Sequence, residues 1–430
     1  MIRILQIIFT VLLVSTYFFS FGFTFLPTAI NTKVILAAIG SALLFMEMLK
    51  NRKVEISVQL LVASGIAIVF SLICYFATDV NGTADFAYAT YVMSFILWLL
   101  AGYTVIYTLK QLHGVVNVRL LTYYLAAASL MQCILALCID SYPAVQILVD
   151  RYVEQGQEFV QEVKRLYGVG ASLDNAGVRF SIVLILLSSQ FRSELFEKKK
   201  LPLLITLLLT FFAILTLGSI ISRTTSVGGA IGLAYMMFGT GMLRRTIHMD
   251  FMRFLGVLFL MLSLAGLVAM YFYETNAMFK DYMRFAFEGF FNYFEKGEWR
   301  TDSTDKLTKN MWVWPSDTKT WLIGTGLFDG WVFDTDIGYC RFILYCGLTG
   351  FIVFAIFFIF NALNFAARYS KYKWLFVMLL ALSFVAWFKV STDIFLIYAL
   401  FYCIESLQGS LFTFKINTKN ENRLLHLGNI

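Results

Sequence analysis

The sequence predicts an all-α polytopic membrane protein, a single integral domain over residues 1–430 with about twelve transmembrane helices. Two observations carry that prediction. Hydrophobic residues make up 59% of the chain and charged residues only 14%, where a soluble domain is nearer a quarter charged. Apolar stretches of about 20 residues also recur from end to end, the length that crosses ~30 Å of hydrocarbon.

The spans fall at 4–21, 34–49, 56–77, 87–109, 120–139, 177–192, 202–221, 227–243, 254–273, 338–360, 374–390 and 394–411. No small-x-small cleavage site follows the first, so it reads as a retained helix. The loops between spans alternate in charge. Lys50 to Lys53, Lys110 to Arg119, Arg192 to Lys200, Arg244 to Arg253, Arg368 to Lys373 and the tail are basic. Short basic loops stay in the cytoplasm, which predicts both termini inside and the intervening loops outside. The net charge of +7 follows from this pattern. No basic run interleaves with aromatics as a nucleic-acid module requires, so no nucleic-acid partner is expected.

Other chemistries lack their signatures. There is no Walker P-loop, no HExxH, no CxxC pair and no EF-hand loop, so neither a protein-held metal nor another cofactor is expected. No internal repeat of the kind found in many secondary transporters stands out. The six cysteines lie in or near apolar spans, a placement that argues against a disulfide framework. His113, His248 and His426 all fall on the predicted inner side, which leaves no outer histidine.

Two outer loops, about 140–176 and 274–337, hold most of the polar content. In the first, Val145 to Glu154 has apolar residues at helical spacing, with Glu154, Glu158 and Glu162 four apart. This predicts a short amphipathic helix on the membrane surface. Arg165 to Gly177 follows, with three glycines and an Asp-Asn pair that predict an irregular segment. The second loop is aromatic from Tyr282 to Phe294, which predicts another interfacial helix. Trp312 and Trp314 read either as bilayer anchors or as stacking surfaces for sugars. Gly324-Thr325-Gly326 permits close approach of a ligand to the backbone.

Arg165, Arg179, Arg223 and Arg341 stand at span edges or beside glycine-rich turns on the outer side. Each alone fits an arginine snorkelling to lipid phosphate. Arg223 is the most exceptional, because its turn joins two long apolar runs and the short-loop charge rule does not call for a cation there. Arginine suits a diphosphate, since its planar fork bonds oxygens in pairs and keeps its charge. Asp336 is the candidate general base, and the competing reading makes it a partner of Arg341 or a helix cap.

These motifs taken together resemble the O-antigen polymerase and ligase superfamily (Wzy/WaaL type). The resemblance rests on Arg165-x-x-Gly with Asn175 downstream, Ser222-Arg223-Thr224 at a tight outer turn, and Gly324-Thr-Gly followed by Asp336-x-Gly-Tyr339. It covers about 140–350; the first five spans match in kind only. It implies a GT-C-like enzyme of the bacterial inner membrane with its active site facing the periplasm. Such an enzyme inverts an anomeric centre without a metal, moving glycan from undecaprenyl diphosphate to an acceptor hydroxyl. It further implies Arg165, Arg223 and Arg341 as diphosphate ligands, and Asn175, Trp312, Trp314 and Tyr339 as sugar-binding candidates. A flippase and a chain-length regulator are implied partners. Ligases of the family carry a histidine near the position of Asp334-Thr335-Asp336, so this chain favours a polymerase over a ligase. A transporter of an anionic glycolipid is the reading from another class; it calls for charges deep within spans.

Overall fold

The computed structural model describes residues 2–51, 53–154, 165–191, 200–239, 249–329, 332–408 and 413–417. Glu158 and Glu162 of the predicted surface helix, the basic segments 192–199 and 244–245, His248 and His426 lie outside the described residues.

In chain order the helices are α1 (Ile2–Phe18), α2 (Thr32–Asn51), α3 (Val58–Asn81), α4 (Tyr91–His113), α5 (Val118–Ser141), α6 (Pro143–Tyr152), α7 (Leu173–Ser188), α8 (Leu201–Ile221) and α9 (Thr224–Gly239). They continue with α10 (Met249–Thr275), α11 (Ala277–Ala286), α12 (Glu288–Lys296), α13 (Asp302–Asn310), α14 (Thr318–Leu322), α15 (Gly338–Arg368), α16 (Lys373–Ala386) and α17 (Phe395–Gln408). A helix thus stands at each predicted span, and the five short ones, α6 and α11 to α14, occupy the two predicted loops. Among the described residues, α2, α3, α4, α5, α8 and α15 are long and apolar enough to cross a membrane. Much of this apolar surface faces outward: Phe259, Leu264, Leu267 and Met270 of α10 are all exposed. That arrangement is unfavourable in water and ordinary against lipid.

Local chemistry sets the helix ends. Ser57 and Asn117 accept from the backbone N–H groups of Leu60 and Leu120, capping α3 and α5. Gly82, left-handed at φ 61°, closes α3. The helices α8 and α9 are separated only by Ser222 and Arg223, a tighter turn than the predicted span limits of 221 and 227.

The core is built around α7 and α17. From Ala176 to Ser188 nearly every residue of α7 is buried, and in α17 so is every residue from Phe395 to Ile404. Small residues let α9 pack closely on α7: a Cβ on Gly228 would lie 2.2 Å from that of Ser181. The helix α15 breaks at Gly347, whose backbone (φ 67°, ψ −179°) is not helical.

The two ends of the bundle differ. At one, β2 (Lys53–Ser57) pairs antiparallel with β4 (Thr413–Asn417), and Arg368 meets Glu405 at 2.8 Å. At the other, a two-residue pairing joins β1 (Gly22–Phe23) to β3 (Val153–Glu154). The described residues of 82–90, 142–154, 165–172, 222–223, 276–329, 332–337 and 387–394 gather at this second end, together with every candidate site residue.

Candidate functional site

The Ser222-Arg223 turn is held from below by a carboxylate. Asp174, in the first turn of α7, accepts at one oxygen from the Ser222 hydroxyl (2.9 Å), the Thr224 hydroxyl (2.8 Å) and the Lys389 ammonium (2.8 Å). Burial alone would raise its pKa, but Lys389 and the two hydroxyls outweigh it and hold the carboxyl below its ordinary value. The turn residues on either side of Arg223 are therefore bonded to a fixed anion, and the guanidinium projects away from it.

Arg223 donates from Nε to the Phe285 carbonyl (2.9 Å) and from Nη1 to the Ser303 hydroxyl (3.2 Å), and pairs through Nη2 with Glu288 at 2.5 Å. Its guanidinium lies 4.1 Å from the centroid of the Phe285 ring, and that of Arg165 lies 5.1 Å from the same ring. Two cations thus share one aromatic ring. Burial pulls the pKa of Arg223 down and Arg165 adds to this, with Glu288 opposing them; guanidinium nevertheless stays charged. Among the described residues nothing accepts from the buried Nε of Arg165, the state of a donor that costs free energy until something accepts from it. Arg165 lines a cavity of about 660 Å³ with Leu166, Met278, Phe285 and the carboxylates Asp140 and Asp281. Apolar walls with a cation at the rim suit an amphiphile carrying an anionic head.

Asp336 lies in a second group, facing Asp174, Lys389 and Arg341. It is partly buried, and among the described residues its carboxylate accepts no hydrogen bond. Burial, with Asp174 adding, pushes its pKa above the ordinary carboxylate value against the pull of Arg341 and Lys389. It does not cap α15, which has no side-chain cap. The adjacent Thr335 is fixed instead, donating to the Met311 carbonyl (2.5 Å) and accepting from the Ile337 N–H (3.1 Å).

Arg341 donates to the Phe328 carbonyl at 2.7 Å and stacks on the Phe328 ring at 4.0 Å. It belongs with Asp336 and not with the Arg165–Arg223 pair. Gly324 and Gly326 serve the fold. The Thr325 and Gly326 N–H groups donate to the Leu344 and Tyr345 carbonyls (2.7 and 3.0 Å), which the break at Gly347 leaves without helical partners. A Cβ on Gly324 would lie 2.3 Å from the Tyr345 carbonyl oxygen. The close approach read from these glycines is therefore to α15 at Gly324 and to the end of α3 at Gly326. Asp85, in the segment between α3 and α4, holds the same loop by accepting from the Phe328 and Asp329 N–H groups.

Of the sugar-binding candidates, Trp312 and Trp314 are exposed and adjoin each other at 5.5 Å, Trp314 stacking on Trp321 at 5.7 Å. Trp312 also meets Phe388, the neighbour of Lys389. Tyr339 packs on Phe388 and Trp387, and its hydroxyl donates to the Phe384 carbonyl at 2.8 Å. Asn175 is exposed in the first turn of α7.

Sequence reasoning passed over Asp174, Glu288 and Lys389 as site residues. Lys389 carried a usable signal, being the one base between two apolar helices at 387–394. Comparison with known proteins returns no matching family model, no matching curated protein and no matching solved structure.

Proposed function

We propose that this chain is a metal-independent, inverting glycan polymerase. In this reading it joins oligosaccharide repeat units carried on undecaprenyl diphosphate at the outer face of a bacterial inner membrane. All twelve apolar helices cross the bilayer in a GT-C-like arrangement with both termini cytoplasmic, and the end bearing the arginines faces the periplasm. The observation that carries the reading is the Arg165–Arg223 pair on one phenylalanine ring, beside a cavity with apolar walls and a buried N–H that no described residue accepts from.

The residues divide the chemistry as follows. Arg165 and Arg223 take the diphosphate of the donor, and the apolar wall of the cavity takes the first units of its lipid. The acceptor hydroxyl oxygen bonds to the anomeric carbon as the bond from that carbon to the diphosphate oxygen breaks, its electron pair leaving with the diphosphate. Negative charge grows on the leaving group, so fixed cations there favour the transition state over the ground state. The hydroxyl proton passes to Asp336, whose raised pKa suits a base better than that of an ordinary carboxylate. Arg341 and Lys389 favour its ionised form, against burial and Asp174. The tryptophan series from Trp321 to Trp312 provides stacking faces for the sugars.

The test is the glycolipid profile of a deletion strain complemented with variants. Loss of the gene leaves single repeat units on the lipid. Arg165→Ala and Arg223→Lys fail to restore polymer while the protein remains in the membrane. Full-length polymer from both variants would remove the diphosphate role, and accumulation of unattached long chains would reassign the protein as a ligase.

A further inference from the structure

A third cation, Arg179, stands apart from both groups. It lies in α7, four residues beyond Asn175, and among the described residues no hydrogen bond or ion pair engages its guanidinium. It lines two cavities, of about 280 and 180 Å³, and Asn175 lines both with it. The larger is bordered by Asn31 and Glu154, the smaller by Trp98 and Asp393.

The groups around these cavities are of the kinds that bind hydroxyls. Arg179 and Lys33, whose ammonium sits 5.0 Å from the Trp98 ring centroid, are offset by Asp393 and Glu154. One carboxylate lines each cavity, Glu154 the larger and Asp393 the smaller. Both accept from hydroxyls, as the two asparagines do, while the guanidinium donates to ring and hydroxyl oxygens and the indole presents an apolar face. The position is equally specific. Asn175 follows Asp174, and Asp393 lies four residues from Lys389, so the cavities border the carboxylate group that contains Asp336.

We propose that the paired cavities around Arg179 form the acceptor site, taking a neutral, hydroxyl-rich glycan and presenting its hydroxyl towards Asp336. This rests on the transferase reading above and adds to it the place and chemical class of the second substrate. Arg179 acts on the acceptor, and Arg165 and Arg223 act on the donor.

The test uses the full-length protein in detergent and two probes in calorimetric titration: the native repeat-unit oligosaccharide freed of its lipid by mild acid, and inorganic pyrophosphate. Arg179→Gln and Asn175→Ala weaken oligosaccharide binding about tenfold, the worth of a charge-assisted hydrogen bond, and leave pyrophosphate binding unchanged. Arg165→Ala and Arg223→Lys do the reverse. Asn175 is exposed, so its variant keeps the test valid if Arg179→Gln fails to fold. Oligosaccharide binding at wild-type strength in Asn175→Ala and in folded Arg179→Gln overturns the acceptor site, as does a wild-type protein that binds no oligosaccharide. Pyrophosphate binding indifferent to both donor arginines overturns instead the transferase reading beneath it.

Discussion

Asp336 is a partly buried carboxylate that accepts no hydrogen bond among the described residues, although two cations act on it. That combination leaves its oxygens open to a substrate proton. In the proposed mechanism Asp336→Asn keeps the shape and removes the base, and polymerisation falls ~10²-fold or more in a single-turnover assay. The ionised form is the active one and its pKa is raised, so activity is lost as pH falls through a value above the ordinary carboxylate range. Lys389→Met withdraws a charge that lowers this pKa and moves the acid limb of the pH–rate profile to higher pH. An unshifted limb would show that Asp336 does not set it. At this scale the sequence revealed the conspicuous charges, Arg165, Arg223 and Asp336, because ions at span edges stand out. It concealed the bond between Asp174 and Lys389, which lie 215 positions apart with no local pattern to link them.

Among the elements, the break in α15 governs how the site is built. At Gly347 the helix gives up its regular bonds, and the 324–326 loop supplies donors to the freed carbonyls. The short half from Gly338 to Cys346 then carries Arg341 and positions Asp336 just before it. Gly347→Ala forces a side chain into left-handed backbone, with its Cβ 2.2 Å from the Leu322 carbonyl oxygen. The strain costs about 1–3 kcal/mol, read as a lowered unfolding temperature in detergent. Helix positions were legible because hydrocarbon demands a fixed apolar length. The break was not, since Gly347 sits in a continuous apolar run and its partner loop reads as a ligand-binding turn.

The whole molecule shows which information a membrane chain hides. Fold class is written in its composition, but helix arrangement is not, because lipid and protein interior favour the same side chains. No apolar stripe on α7 announces that it is buried on nearly every side. Orientation is testable directly. Lys309 and Lys371 are exposed and belong to opposite ends of the bundle. Lys309→Cys reacts with a membrane-impermeant maleimide in intact cells, and Lys371→Cys reacts only after the membrane is opened. The native cysteines give little background, Cys138 alone being less than fully buried. The reverse labelling pattern would invert the topology and place the site in the cytoplasm.

The bracket at Asp174 bears on how such a protein can be re-engineered. One oxygen fastens α7 to the α8–α9 turn and to the segment before α17. Exchanging this end of the bundle for that of another chain therefore means transplanting 172–179, 222–224 and 389–393 as a set. A chimera that exchanges one of the three without the others loses the bonds that hold α7, the α8–α9 turn and the segment before α17 in register.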